Sequence, residues 1–362
     1  MSEPACWRLL DTGLRRAADH VAINRVMLNA HQAGKVPNTL RFMRFAPCAL
    51  LGFHQSASQE LRLDYCGAHG IDIQRRLSGG GAVYCDPDQI AWELCFDRRH
   101  LGLGAMADIA SCICGAAATG IRGLGVNARF RPRNDIEVDG RKISGTGGIL
   151  DGNTVIYQGT LLIDFNVERM LKVLRIPAEK LTDKAVASAG ERVTSLAEQL
   201  GYVPALDGVK HHLANAFADE FNIAFEPANE IDAVEQRTYR EALAEIDTDE
   251  WVYQHYRPTA EAPTLEGVYR ASGGLMRVNV SLDTRRRRIR QVWFHGDFFV
   301  QPRRTIYDLE AALRGAAVTD VKATIERFFA HHRPDLLMLA PRDFSNAVAI
   351  ALASVGAPEV AQ

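Results

Sequence analysis

Two short stretches of this sequence contain the residue types that bind and activate acids and phosphates. The first, residues 75–84, reads RRLSGGGAVY. Three consecutive glycines allow positive φ angles and close backbone approach, so that successive N–H groups can converge on an anion. The guanidinium groups before them pair well with carboxylate and phosphate oxygens. The same pattern is also typical of a glycine turn between strands with two solvated arginines, so the second stretch carries more weight.

The second stretch, residues 133–145, reads RNDIEVDGRKISG. Its centre, Asp139-Gly140, predicts a two-residue turn between antiparallel strands. Counting outward predicts these opposed pairs: Val138 with Arg141, Glu137 with Lys142, Ile136 with Ile143, and Asp135 with Ser144. Opposed residues share a face and neighbours along a strand alternate. One face is therefore expected to be apolar, and the other to carry a polar cluster around a single lysine: Asp135, Glu137, Lys142 and Ser144.

The bulk composition is that of a globular protein with a local anion site. The chain has 362 residues, 47% hydrophobic and 24% charged, which predicts one large domain and a smaller one. A net charge of -2 argues against a general nucleic-acid or membrane binder. Seven cysteines without a CxxC pair are typical of reduced thiols in a cytoplasmic protein. The polar start of the chain predicts neither a signal peptide nor a membrane span.

Apolar periodicity predicts the elements that position both stretches. A strand over 71–76 leads into the glycines, and the chain is expected to return as strand over 82–96, which places the glycines in a strand-to-strand hairpin. P-loop and dinucleotide sites are excluded, because they need a helix directly after the glycines. Helices are predicted around 18–26, 106–113, 167–174, 209–217 and 235–246, a strand over 157–163, and an exposed excursion over 180–193.

Residues 257–263, RPTAEAP, are the best linker candidate. The prediction divides the chain into a catalytic domain over 1–250, a linker over 251–264 and a small C-terminal domain over 265–345. In the last part, alternation over 276–282 predicts a strand and 289–294 its partner, with helices from about 306 and 318. The intervening arginines, residues 285–288, are interpreted as a solvated hairpin tip.

Together, in this order and separation, the two stretches resemble the lipoate-protein ligase family of the biotin/lipoate ligase superfamily. Residues 75–83 match its RRxSGGGAV signature, and residues 134–135 with 140–145 match its ND…GRKxSG signature. The resemblance implies an α+β fold. It would consist of a large mixed-sheet biotin/lipoate ligase-like catalytic domain and a small α+β C-terminal accessory domain.

The resemblance also implies an activity. Such ligases use ATP to convert lipoate to lipoyl-AMP and then pass the lipoyl group to a lysine of an acceptor protein domain; octanoate is the other acid to consider. Joining a carboxylate to an α-phosphate brings two anions together, so the site must supply positive charge. Lys142 is implied as the catalytic residue that bridges the two groups. An apolar slot for the acyl tail is expected around residues 50–53 and near Gly79.

The remaining site residues follow from the same signatures. The implied nucleotide-binding residues are Arg75, Arg76, Ser78, Gly79, Gly80, Gly81, Ala82, Val83, Tyr84, Asn134, Asp135 and Lys142. Asn134 and Asp135 are expected to meet the adenylate or its Mg²⁺, with Asp135 as the metal ligand. No nucleic-acid or membrane partner is expected.

The chain departs from the family pattern at two places, and other functions stay open. Cys85 and the residues after it replace a usual His-Asp pair and Gly-Asn, and Gly147 stands where alanine is common.

An octanoyl or lipoyl transferase on the same fold needs no ATP and forms a thioester on cysteine. In the relatives that resemble this chain most, that cysteine shortly precedes the lysine motif, and residues 130–135 contain none. A biotin ligase lacks support because a GRGRxGR-type loop is missing; a non-catalytic homologue that binds lipoylated partners is the third alternative.

Overall fold

The computed structural model describes residues 4–132, 134–175, 191–254 and 264–353. Arg133, most of the predicted excursion over 180–193 and the linker candidate over 257–263 lie outside these ranges. The chain divides into two compact units. The first comprises Met1–Leu51, Ala57–Ser78 and Ala82–Val252, and the second Gly52–Ser56, Gly79–Gly81 and Tyr253–Gln362.

The first unit is built on a large mixed sheet. Its strands are β1 (Ala5–Arg15), β2 (Thr39–Phe45), β3 (Cys48–Leu51), β4 (Asp72–Arg75), β5 (Val83–Cys85), β6 (Gln89–Asp97), β7 (Arg129–Arg131), β8 (Asp135–Val138), β9 (Arg141–Asp151), β10 (Thr154–Leu162) and β11 (Ile223–Ala228). Eight of them form one sheet in the order β11-β1-β2-β6-β10-β9-β8-β7. The β11, β1 and β2 strands are parallel and the following pairs antiparallel, which confirms the predicted mixed sheet.

Helices cover both faces of this sheet. They are α1 (Ala17–Gln32), α2 (Ala57–Glu60), α3 (Leu63–Ala68), α4 (Met106–Gly123), α5 (Val167–Val173), α6 (Leu196–Leu200), α7 (Leu206–Phe221), α8 (Ala233–Ile246) and α9 (Asp249–Val252), with a 3-10 turn at Arg98–Leu101. The apolar stripes of α4 and α7 share the largest core cluster with the sheet, whereas α1 and α8 share another. A Cβ at Gly120 of α4 would lie 2.9 Å from the carbonyl oxygen of His212, so glycine permits the close crossing with α7.

The glycine stretch does not connect two paired strands, so the predicted hairpin is wrong. In a separate three-stranded sheet β3 lies between β4 and β5, parallel to the first and antiparallel to the second. The connection therefore crosses one strand, a width of about 10 Å. The strand predicted over 82–96 is also two strands in different sheets, interrupted at Pro87, which has no N–H for a ladder. A strand rather than a helix still follows the glycines, as predicted.

The hairpin at Asp139-Gly140 forms, but its predicted register is correct only next to the turn. Both turn residues have positive φ, 49° and 79°, as a type I′ turn requires. Further out a β-bulge shifts the pairing, so that Ile136 lies opposite Ser144 instead of Ile143. Ser144 is 1% exposed and shares the core face with Ile136; its predicted place in the polar cluster is wrong.

The second unit contains a small antiparallel sheet and helices, as predicted. Its elements are β12 (Thr264–Ala271), β13 (Gly274–Asp283), β14 (Arg288–Gly296), β15 (Val300–Gln301), β16 (Asp335–Leu336), α10 (Thr305–Leu313), α11 (Val321–His332) and α12 (Pro341–Ala353), with a 3-10 turn at Val318–Asp320. The sheet order is β12-β13-β14. Strand β12 and helix α12 were not predicted, although Phe344, Ala347 and Val348 show helical spacing and are buried. No helix among the described residues is long and apolar enough to cross a bilayer.

Candidate active site

Lys142 lies on β9 at the bulge, and a neighbouring segment holds its backbone. The N–H of Lys142 donates to the carbonyl of Arg192 at 2.8 Å, and its carbonyl accepts from the N–H of Thr194 at 2.9 Å. These bonds form a parallel bridge between Lys142 and Val193. Residues 192–194 thus continue the sheet beyond Leu161, the last residue of β10 with a partner on β9.

The side chain of Lys142 is oriented by a carboxylate that also binds a second cation. Its Nζ lies 2.7 Å from Oδ1 of Asp135, whose Oδ2 lies 2.7 Å from Nη2 of Arg131 on β7. Burial by itself raises the pKa of Asp135, but the charges and hydrogen bonds of Lys142 and Arg131 outweigh it and lower the pKa beneath the usual value of an aspartate. Asp135 is therefore ionised at neutral pH. The Lys142 side chain is 37% exposed, so its ammonium group is both oriented and accessible.

The tail of Lys142 lies against the backbone of Gly145. A Cβ at Gly145 would be 2.6 Å from Nζ and 2.7 Å from Cε of the lysine. Gly145 is paired with Asp135 on β8 and with Thr160 on β10. The glycine in the GRKxSG signature thus has a steric reason: it leaves room for the ammonium group above the strand.

Arg75 is fully buried and bonds to the end of α9. Its Nε donates to the carbonyl of Trp251 at 3.2 Å and its Nη2 to the carbonyl of Val252 at 2.6 Å. The indole N–H of Trp251 donates back to the carbonyl of Arg75 at 2.9 Å. These contacts give Arg75 a structural role, and its contact with a nucleotide stays a prediction.

Arg76 and Ser78 are hydrogen-bonded to each other; Arg76 also bonds to the three-stranded sheet, and Ser78 to the large sheet. The Nε of Arg76 donates to Oγ of Ser78 at 3.1 Å and its Nη1 to the carbonyl of Leu50 at 3.1 Å. Gln158 on β10 donates to the same Oγ at 3.3 Å. Burial lowers the pKa of Arg76 to about 10, so the guanidinium stays charged at neutral pH. Gln158 was missed from sequence, although a polar residue inside the apolar run YQGTLL was a signal for it.

Gln158 connects the two sequence motifs. It lies two residues before Thr160, which is opposite Gly145, and alternate residues of a strand share a face. The hydrogen bond to Ser78 and the tail of Lys142 are therefore on the same face of the sheet. The two positions on β10 that mark them, Gln158 and Thr160, are about 7 Å apart along the strand. The residue between Arg76 and Ser78, Leu77, is buried in one cluster with Ile149 of β9. The first unit thus holds Ser78, and through it Arg76, over the face of the sheet on which the tail of Lys142 lies.

The three glycines belong to the second unit, where they meet a backbone carbonyl. Gly80 has a φ of 89°, and its N–H donates to the carbonyl of Phe298 at 3.1 Å. A Cβ at Gly79 would lie 2.3 Å from the same oxygen, so only glycine allows this approach. At Gly81 a Cβ would make only an ordinary contact, 3.6 Å from Cβ of Asp297. Phosphate binding by these N–H groups stays a prediction.

The residues after the glycines lead into and form β5. Ala82 and Val83 are half-buried and Tyr84 is buried. Burial, followed by the nearby carboxylate of Asp86, raises the pKa of Tyr84 to about 12. Cys85 lies opposite Cys48 of β3, and both thiols are buried. Cys85 therefore packs between strands.

Asn134 and Asp135 do not form a metal site by themselves. The Nδ2 of Asn134 donates to the carbonyl of Thr146 at 2.6 Å, and the Asn134 carbonyl accepts from the N–H and the hydroxyl of Thr146, both at 2.9 Å. Both carboxylate oxygens of Asp135 are paired with cations. Within the described ranges no group of three or more His, Cys, Asp or Glu is placed to hold a metal ion. These residues do not fit a preformed Mg²⁺ site, and the role of Asp135 as a metal ligand stays a prediction.

Comparison with known proteins identifies the family. Residues 16–218 match the family described as Lipoyl protein ligase A/B catalytic domain. The octanoyltransferase LipM of Kyrpidia tusciae is 28% identical over 68% of this chain and 98% of its own. The lipoate–protein ligase 1 of Staphylococcus aureus is 27% identical over 74% of this chain and 78% of its own.

A solved structure has the same fold. A bipartite lipoate protein ligase of Thermoplasma acidophilum, described with its E2 lipoyl domain, superimposes with a TM-score of 0.63 at 25% identity, covering 72% of this chain and 100% of that chain. The family match spans more than half of the sequence. The protein therefore belongs to the lipoyl protein ligase A/B catalytic domain family, whose members include lipoate-protein ligases and octanoyltransferases.

Proposed function

We propose that the protein is an ATP-dependent lipoate-protein ligase. It would join lipoate and ATP to lipoyl-AMP, with release of pyrophosphate, and pass the lipoyl group to a lysine of an acceptor domain. One observation carries the proposal: Lys142, oriented by Asp135, shares a face of the sheet with Arg76 and Ser78. Two anions can only be joined where fixed cations offset their repulsion.

The relatives support the substrates and the acceptor. A lipoate-protein ligase among them favours lipoate as the acid. The Thermoplasma ligase, described with an E2 lipoyl domain, favours a lipoyl domain as acceptor. We assign the chemistry to a catalytic domain over 1–250, with a linker over 251–264 and an accessory domain over 265–345.

Lys142 acts in both half-reactions of this mechanism. In the first, a carboxylate oxygen of lipoate attacks the α-phosphorus of ATP and pyrophosphate leaves, while negative charge collects on the α-phosphate oxygens. The Lys142 ammonium donates to that charge and to the acyl carboxylate, and Asp135 limits its reorientation. Arg76, aligned by Ser78, adds a second cation for the phosphates. In the second half-reaction the acceptor amine attacks the acyl carbon, AMP leaves, and Lys142 polarises the anhydride.

An octanoyl or lipoyl transferase is the second candidate, because relatives such as the Kyrpidia protein have that name. Such an enzyme needs a reactive thiolate beside the lysine. All seven cysteines lie within the described residues. Burial is the first cause of a raised pKa in five of them: Cys48, Cys66, Cys95, Cys112 and Cys114. The thiols of this chain therefore favour the ligase.

The other two cysteines are also poorly placed for thioester chemistry. Cys85 is only 1% exposed. Cys6 lies on β1, four strands from β9 in the large sheet, which is about 19 Å at the usual strand spacing. A non-catalytic homologue is disfavoured because the ion pair between Lys142 and Asp135 is formed and accessible.

The ligase is tested by exchange of labelled pyrophosphate into ATP. We expect exchange that depends on lipoate, followed by a lipoyl adduct on an acceptor lysine that mass spectrometry detects. Exchange with octanoate alone, or with neither acid, would overturn the assignment of lipoate. No exchange, together with octanoyl transfer from a thioester donor through an enzyme cysteine, would establish the transferase.

Replacing Gly145 with alanine should displace the lysine without unfolding the protein. Among the described residues, the added methyl group would meet the far end of the Lys142 side chain and no other atom within 4 Å, and that end is flexible. We expect lipoate-dependent exchange to fall about tenfold, or about 1.4 kcal/mol of transition-state stabilisation, with little change in Tm. Gly208→Ala is the matched control, because no atom of the described residues lies within 4 Å of its added Cβ. Equal exchange rates in the two variants would contradict the steric role of Gly145.

A further inference from the structure

The second unit has a strongly basic surface that the proposed chemistry does not use. Five exposed arginines, here termed the arginine tip, lie at the end of the β13–β14 hairpin: Arg285, Arg286, Arg287, Arg288 and Arg290. Residues 264–353 contain 14 Lys and Arg against 9 Asp and Glu, a net charge of +5. The whole chain has 42 Lys and Arg against 44 Asp and Glu. The residues outside 264–353 therefore have 28 against 35, a net charge of -7. Positive charge is therefore concentrated in residues 264–353, the part of this unit after the linker that the structure describes.

The backbone of the arginine tip is well ordered by local contacts. Asp283 pairs with Arg288 in the strand ladder, and its Oδ1 accepts the N–H of Arg286 at 3.0 Å. Nη1 of Arg288 donates to the carbonyl of Gly315 at 2.6 Å, which joins the hairpin to the end of α10. Within the part of the chain that the structure describes, none of the five arginines forms an ion pair. An ordered turn thus presents guanidinium charge that the described residues do not neutralise.

We propose that the arginine tip is a docking surface for an acidic face of the acceptor protein, an inference that rests on the proposed ligase function. Guanidinium groups bind carboxylates through paired hydrogen bonds, and an excess of one charge on a surface steers a partner of the opposite charge. An acidic acceptor would be repelled by the net charge of -7 on the rest of the chain. The basic unit supplies the compensating attraction.

The composition of the tip favours a protein partner over single-stranded nucleic acid. Residues 283–290 read DTRRRRIR and contain no aromatic side chain on which bases could stack. The chain as a whole is slightly acidic, which would weaken attraction to a long polyanion.

The test uses the full-length enzyme and the apo form of an E2 lipoyl domain as the acceptor probe. The double variant Arg285→Glu/Arg286→Glu is compared with Arg327→Glu/Arg342→Glu, which makes the same charge change at two exposed helix positions. At low ionic strength we expect the tip variant to raise the KM for the acceptor about tenfold, and the control less than twofold. The difference should shrink at high salt, because salt screens exposed charges. Lipoate-dependent exchange should be unchanged in both variants.

A binding measurement separates this proposal from the ligase assignment. Calorimetry gives the affinity of the enzyme for the apo lipoyl domain in the absence of ATP. Weaker binding in the tip variant alone supports the docking surface, even if the unaltered enzyme shows no pyrophosphate exchange and the ligase assignment fails. Equal losses in the two double variants, or no loss in either, would overturn the docking surface. The docking surface would also be overturned if the tip variant bound the acceptor normally but bound a 20-nucleotide RNA more weakly than the unaltered enzyme does.

Discussion

Replacing Lys142 with alanine is expected to reduce lipoate-dependent pyrophosphate exchange by about 10²–10³-fold, the loss typical of removing one oriented charge donor. The effect should appear in kcat more than in the KM for ATP or lipoate, because the ammonium acts most strongly on charge that develops in the transition state. Initial rates over a range of both substrates measure this. Turnover close to that of the unaltered enzyme would remove Lys142 from the mechanism.

The variant should remain folded, so that lost activity can be attributed to chemistry. Asp135 keeps its second partner, Arg131, when the lysine is removed, and its charge is not left unpaired. Unfolding midpoints of the variant and the unaltered protein should therefore agree. Lys172→Ala is the matched control, because that lysine is exposed and pairs with Glu168, four residues earlier on α5. It should leave the exchange rate unchanged.

Replacing Arg75 with alanine is expected to destabilise the protein by about 1–3 kcal/mol for each buried carbonyl group that loses its hydrogen-bond donor. The side chain is 0% exposed, and its loss would leave the carbonyls of Trp251 and Val252 without a buried donor. Urea unfolding followed by circular dichroism gives the free energy of unfolding. The urea concentration at the unfolding midpoint is expected to be lower in the variant. The KM for ATP is expected to be unchanged at temperatures where the variant is folded.

Two further results bear on this assignment. Arg99→Ala serves as a control, since that side chain is 73% exposed and is paired with Asp97 at the surface; its unfolding midpoint should not move. If Arg75→Ala instead raises the KM for ATP and leaves stability unchanged, Arg75 binds the nucleotide and its structural role is refuted. The adjacent arginines would then act as a pair and not in the separate roles that their contacts indicate.

The sequence by itself specified the elements that depend on local pattern. The apolar stripes of α1 and α8 and the turn at Asp139-Gly140 each follow from spacing or backbone preference within a few residues, and each is present. The same holds for Ile136 on the core face, because alternation near a tight turn determines which side is buried. Residue type and a family signature together indicate the two arginines and the lysine as site residues.

Only the tertiary structure decided how these residues are used. The insertion of β3 between β4 and β5 and the extra residue at the bulge depend on long-range pairing, which leaves no periodic signal in the local sequence. For the same reason the two adjacent arginines have different partners: Arg75 is buried against α9, whereas Arg76 is bonded to Ser78. Gln158 became part of the site because two distant segments meet at β10. Residue chemistry is local, but the partner that each group finds is set by which strands lie side by side.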